Sequence, residues 1–335
     1  MKPFAYVRAA GLDEAVAAHA RHPGARYLGG GTNLVDLMKL GVESPTALVD
    51  ISRLPLDGVE ELPSGGLRIG AMTRNSDVAA HPAVRARHPV LSQALLAGAS
   101  GQLRNMATTG GNLLQRTRCS YFQDVSKPCN KREPGTGCGA RDGLHRDHAV
   151  LGQSERCIAT HPSDMAVALA ALDADIELYG GDGARTVPAA EFHRLPGDRP
   201  EQDTVLRAGE IVTAIVLPAP GRGAVSLYRK ARDRASYAFA LASVAAVLEL
   251  DAGRVRRVTL AFGGLAHRPW RATAAETLLV GAEPTPDALR RAVEAELAPA
   301  RPLRDNGYKV ALAANLAVDV LGALAARADG RPRIP

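Results

Sequence analysis

Four cysteines are the first residues to weigh for chemistry: Cys119, Cys129, Cys138 and Cys157, all within 39 of the 335 residues. Nine, eight and eighteen residues separate them, and no C-x-x-C pair occurs, which argues against a zinc ribbon or a thioredoxin-like redox pair. Three readings stand on the spacing: two disulfides, four unrelated buried thiols, or the four thiolates of an iron–sulfur cluster. A chain with an ample core has little need of disulfides, and the clustering strains the second reading. The run KPCNKREPGTGCGARD (127–142) is broken by glycine and proline and carries no helix or strand period, which suits a segment wrapped around a metal centre. His145, His148 and His161 lie near enough in sequence to replace a thiolate.

The second chemistry is that of glycine turns. Gly29-Gly30-Gly31-Thr32-Asn33 follows the strand-like Ala25-Arg26-Tyr27-Leu28 and precedes a helix over Leu34 to Leu40. Backbone N–H groups at such a turn converge on an anion, and the helix start favours negative charge. It is not the dinucleotide fingerprint, because Leu34 stands where the third glycine belongs, and no Walker lysine follows. A second turn, Thr108-Thr109-Gly110-Gly111-Asn112, follows about eighty residues later. Two such cradles suit the two phosphates of one diphosphate, with Thr hydroxyls and Asn amides supplying directional hydrogen bonds. His161-Pro162-Ser163-Asp164 reads as a helix start, with Ser163 or Asp164 as cap.

The elements that must hold these residues follow from periodicity. Leu12–Ala20, Leu34–Leu40, Asn75–Ala80 (with Thr73 as N-cap), Val90–Ala99 and the amphipathic Asp164–Asp173 read as helices. Ala47–Ile51, Leu67–Ala71, Ala174–Tyr179 and Glu210–Leu217 read as strands, and the polar stretch 194–209 as a surface loop. Beyond the turn-rich PAPGRG (218–223), three consecutive strands (Ala224–Lys230, Ala238–Leu250, Val255–Gly263) precede three helices (Ala272–Val280, Asp287–Glu296, Tyr308–Ala326). That order indicates an α+β unit with an antiparallel sheet.

Composition is globular, 46% hydrophobic and 23% charged, with only 4% aromatics, so Ala, Leu and Val must build the core. The net charge of +6 is dispersed: the densest basic piece, Arg229 to Arg234, is interrupted by Ala231 and Asp233. A solvated surface rather than a nucleic-acid site is expected. No run approaches eighteen consecutive apolar residues, so no membrane span is expected, and the N-terminus has no stretch of signal-peptide character. The expected location is the cytoplasm, with co-export to the periplasm on a signal-bearing partner as the alternative.

The two glycine turns, in this order and separation, together with Ser163-Asp164, resemble the flavin-binding signature of the FAD subunits of molybdenum hydroxylases, the xanthine dehydrogenase family. The cysteine run CSYFQDVSKPCNKREPGTGC resembles the aldehyde oxidoreductase type, whose FAD subunit carries an extra 4Fe–4S cluster. The resemblance implies a two-subdomain FAD-binding fold of the PCMH type (1–57 and 58–220, with the cluster insertion at about 117–157). An α+β flavoprotein domain (221–328) and a tail (329–335) would follow. It implies that Leu28, Gly29, Gly30, Gly31, Thr32, Asn33 and Leu34 hold the FAD diphosphate from one side, and Thr108, Thr109, Gly110, Gly111 and Asn112 from the other. Ser163 and Asp164 would bind ribityl or ribose hydroxyls, Leu217 would pack near a ring, and Lys230 or its neighbour Arg229 would sit at the flavin. Cys119, Cys129, Cys138 and Cys157 would ligate the cluster. The implied role is electron transfer in a complex with a molybdenum-cofactor large subunit and a 2Fe–2S small subunit. The alternatives are an aryl-CoA reductase of the 4-hydroxybenzoyl-CoA type and a free-standing FAD oxidase.

Overall fold

The computed structural model describes residues 1–329, so the tail expected at 329–335 lies, except for Asp329, outside the described residues. Strands β1 (Ala5–Arg8), β2 (Arg26–Leu28) and β3 (Ala47–Asp50) form a parallel sheet in the order β1-β3-β2. Parallel neighbours require crossovers, which the helices Leu12–Arg21 and Leu34–Lys39 supply. Central β3 is buried at all four positions, as a strand covered on both faces must be. The mostly exposed β1 carries no burial pattern in its sequence, which is why periodicity does not reveal it.

Strands β4 (Val59–Glu61), β5 (Leu67–Gly70), β6 (Asp175–Gly180), β7 (Gly183–Pro188) and β8 (Ile211–Leu217) form an antiparallel sheet in the order β4-β5-β8-β6-β7. Between β5 and β6 come the helices Asn75–Ala80, Pro82–Arg87 and Pro89–Ala97. Pro82 and Pro89 stand at first helical positions, where a missing N–H costs nothing. Thr73 is not the cap the sequence suggests: its hydroxyl donates to the Gly58 carbonyl at 3.0 Å, and Arg74 occupies the cap position.

Strands β9 (Val225–Ala231), β10 (Ala242–Asp251), β11 (Arg254–Gly263) and β12 (Trp270–Arg271) form a second antiparallel sheet, ordered β12-β11-β10-β9. Helices Thr273–Leu279, Pro286–Leu297 and Tyr308–Ala328 follow. The last is long and apolar enough to cross a membrane, with a mean hydropathy of 1.6 that its scattered polar residues conceal in a search for unbroken apolar runs. Here it packs on β9 and β10 and buries Val320, Leu321 and Leu324. Helix Asp164–Ala171 is not amphipathic: all eight residues are buried, because it is wedged between Pro89–Ala97 and strands β10 and β11. The whole is the α+β architecture that the sequence indicates.

Candidate functional site

The first glycine turn leaves β2 at Leu28 and lies against the start of the second. An ideal Cβ at Gly30 would stand 2.1 Å from the Met106 carbonyl oxygen, so only glycine permits this approach. Among the described residues, the N–H groups of Gly29 to Asn33 have no protein acceptor. Asn33 accepts from the Arg116 N–H through Oδ1 at 2.9 Å, and its buried Nδ2 has no partner. In the second turn, Thr108 caps the short helix Thr109–Leu113, its Oγ1 accepting from Gly111 N at 3.2 Å.

Two cavities meet at these turns and share Thr32, Asn33 and Gly111 in their walls. The first, about 410 Å³, runs along Gly29 to Leu34 towards Tyr27 and the segment Leu206–Val212. The second, about 330 Å³, runs past Asn112 and Asp164 to Lys230, Tyr237 and Phe239. Both are of ligand size. A long ligand with a bulky group at each end and anionic charge in the middle fits this arrangement. The free N–H groups from Gly29 to Asn33 are what a diphosphate there requires.

The expected residues divide into three groups. Gly29, Gly30, Gly31, Thr32, Asn33, Leu34, Thr108, Gly110, Gly111, Asn112, Asp164 and Lys230 line one cavity or the other. Leu28, Thr109 and Ser163 line neither and act from behind. Leu28 ends β2 and its side chain packs at Gly31, while the Thr109 hydroxyl donates to the Thr73 carbonyl at 2.9 Å. Ser163 caps its helix by accepting from Ala166 N and donates to Asn112 Oδ1 at 2.6 Å, so it orients Asn112. Leu217 is a correction. It is fully buried in the core, paired with Leu67 across the sheet, and the start of β8, Ile211 and Val212, faces the first cavity instead.

Strand alternation decides between the two candidate cations on β9. Lys230 points into the second cavity, donating to Asp164 at 2.7 Å and to the Ala97 carbonyl at 3.1 Å. Arg229 points the other way and pairs with Asp319. Tyr228 completes the group by donating to Asp164 at 2.5 Å, and burial, with Asp164 beside it, holds its phenol protonated well above the usual range.

The four cysteines form no disulfides. All four line one small apolar-walled hollow with Lys131, although they are spread along a segment whose helices, Ser120–Gln123 and Gly139–Asp142, are single turns. Burial pushes the Cys119 thiol up to about 12 and that of Cys157 up to about 11, so neither is a ready nucleophile. Among the described residues, no three His, Cys, Asp or Glu groups are arranged to hold a single metal ion. Four thiols around one hollow are the donor set that a four-iron cluster would take, one thiolate on each iron. Of the candidate histidines, His148 Nε2 lies 3.1 Å from Cys119 Sγ. His145 accepts from the Asp305 N–H at 3.1 Å, and His161 packs against His193 with centroids 4.0 Å apart and the rings tilted by 46°.

Spacing alone does not reveal a partly buried charge network beside the first cavity. Arg116 bonds Glu43 and Asp203, each at 2.8 Å, and its guanidinium lies over the Phe122 ring. Burial alone would raise the Asp203 carboxyl, but Lys131 and Arg116 outweigh it and hold Asp203 far below the usual carboxylate range. The segment 194–209 is therefore more than a surface loop: it carries Asp203 and part of the cavity wall.

Residues 2–220 match the family described as FAD binding domain in molybdopterin dehydrogenase, and residues 226–324 the CO dehydrogenase flavoprotein C-terminal domain. The chain is 52% identical to the aldehyde oxidoreductase FAD-binding subunit PaoB of Escherichia coli (strain K12), over 98% of this chain and 100% of that one. It is 30% identical to the glyceraldehyde dehydrogenase medium chain of Sulfolobus acidocaldarius, over 83% of this chain and 81% of that one. Among solved structures, a chain of carbon monoxide dehydrogenase from Hydrogenophaga pseudoflava superposes with a TM-score of 0.77 at 30% identity, covering 98% of this chain and 99% of that one. Together with cavities that meet at two glycine turns, these matches place the chain among the FAD-binding subunits of the molybdenum hydroxylase family of oxidoreductases.

Proposed function

We propose that this chain is the electron-transfer subunit of a molybdenum-dependent aldehyde oxidoreductase, carrying FAD and a 4Fe–4S cluster. Its partners are a molybdenum-cofactor large subunit and a 2Fe–2S small subunit. The identity to an aldehyde oxidoreductase FAD-binding subunit supports the substrate class, and relatives named as medium chains support the assembly. When bound, FAD supplies exchange between the single electrons of iron–sulfur partners and an external acceptor, and the cluster supplies a one-electron site.

The chain's own residues bind and orient. Backbone N–H groups of Gly29 to Asn33 hold the diphosphate, and Thr32, Asn33 and Gly111 form the waist between the two ends of the cofactor. Lys230, fixed by Asp164, holds positive charge in the second cavity and would lie beside the flavin ring, where a cation would favour the reduced form. Cys119, Cys129, Cys138 and Cys157 ligate the cluster. The observation that carries this last assignment is their convergence on a single hollow.

The test is an absorption spectrum of the anaerobically purified chain with flavin and iron quantified. Flavin bands over a broad iron–sulfur shoulder, at about one FAD and four iron per chain, are expected. Flavin without iron would return the cysteines to ordinary buried thiols.

A further inference from the structure

The cysteine hollow and the first cavity are joined by a ladder of charges alternating in sign, buried at Lys131 and partly buried beyond it. Lys131, whose side chain is 2% exposed, lines the hollow and donates to the Pro200 carbonyl at 2.6 Å and to Asp203 Oδ1. The other oxygen of Asp203 accepts from Arg116 Nε at 2.8 Å, and Arg116 Nη1 donates to Glu43 at 2.8 Å. Both Arg116 and Glu43 line the first cavity. The Arg116 backbone N–H also holds the side chain of Asn33, which lines both cavities.

We propose that Arg116 is a positioning residue through which the cysteine centre controls FAD affinity, with Lys131 and Asp203 as the connection. The proposal rests on the reading that the cavities hold FAD and the cysteines a 4Fe–4S cluster. A centre of four thiolates is negatively charged and holds the Lys131 ammonium at the hollow by direct Coulomb attraction in a poorly solvated place. Lys131 fixes Asp203, Asp203 fixes the Arg116 guanidinium, and Arg116 fixes Glu43 and Asn33 at the cofactor. Taking iron away removes the charge that anchors the first rung. Binding at one end and loading at the other are then coupled, and linkage makes the coupling reciprocal.

The experiment is a flavin-fluorescence titration of the full chain with FAD, before and after anaerobic removal of iron by a chelator. It is carried out on the wild type, on Lys131→Met and on Lys131→Arg. In the wild type, iron removal is expected to weaken FAD binding on the order of tenfold. Lys131→Met is expected to show the weakened value with iron present and to change by less than about twofold when iron is removed. Lys131→Arg is expected to restore most of the affinity and the iron dependence. A merely structural lysine would give losses that multiply, and that result overturns the proposal. So does a wild-type affinity independent of iron, a result that needs no variant to fold. A chain that binds no FAD, or carries no iron when purified anaerobically, would instead overturn the cofactor reading itself and the coupling with it.

Discussion

At Gly30 the chain needs glycine for space: φ is not in the left-handed region, and the obstacle is the Met106 carbonyl of the neighbouring turn. At Gly135 and Gly137, inside the cysteine segment, the need is reversed. Their φ values are +90° and +101°, and a Cβ would meet nothing at Gly135 and only Pro128, at 3.9 Å, at Gly137. The difference shows how each region is held. The glycine turns are clamped between packed elements, with β5 and β8 behind them and Thr109 tied to Thr73. The cysteine segment is strung on side-chain tethers. Asn130 Oδ1 accepts from Gly135 and Gly137, Arg132 donates to the carbonyls of Tyr121 and Phe122, and Lys309 donates to those of Asp147 and His148. A clamped cradle keeps its shape by sterics.

The contrast is broken most severely by Gly30→Val. Three added carbons in a backbone contact are expected to abolish FAD binding and to destabilise the chain by about 3 kcal/mol or more, read as flavin occupancy and urea midpoint. Next is Cys138→Ser, which is expected to lose cluster iron while saturating FAD still binds. Unchanged iron in the purified variant would show that Cys138 is no ligand.

Acid sharpens the comparison on the cradle side. Burial pushes His193, which bonds the Leu113 carbonyl just beyond the second turn, down to about 4, from an ordinary value of about 6.5. The unfolded chain therefore takes up that proton first. Stability is complete above pH 6.5 and falls as the pH drops towards 4, by about 3 kcal/mol at pH 4 from this histidine. His161 and His267, buried and held well below the ordinary value, add to the loss in the same direction. Denaturant midpoints measured from pH 7 to pH 4 check this, and a flat profile would contradict it. The smallest effect is expected from Gly135→Ala. It forces a Cβ into the left-handed region at a cost of about 1 kcal/mol, with FAD affinity unchanged within about twofold.

Much of the frame was legible in one dimension. The apolar runs of β3, β5, β8, β10 and β11 mark buried strands, and Gly41, with φ +76°, ends the second helix where the sequence says. Edge strands such as β1 and β4 escaped, because half-exposed short strands leave no alternation to read. Leu217 was misplaced for a related reason. Periodicity shows that a strand residue is buried but not whether core or ligand buries it, and here Leu67 and the sheet do.

What the sequence determined by itself is the set of local chemistries: two glycine-rich turns, a Ser163 cap, and four thiols gathered within 39 residues. Only the tertiary structure decided how these combine. Lys230 rather than Arg229 faces the cavity because β10 pairs with β9 in one register, which turns alternate side chains to opposite faces. Glu43, Arg116, Lys131 and Asp203 meet from positions up to 160 residues apart. No spacing rule can announce that contact, because buried charges find their partners through packing.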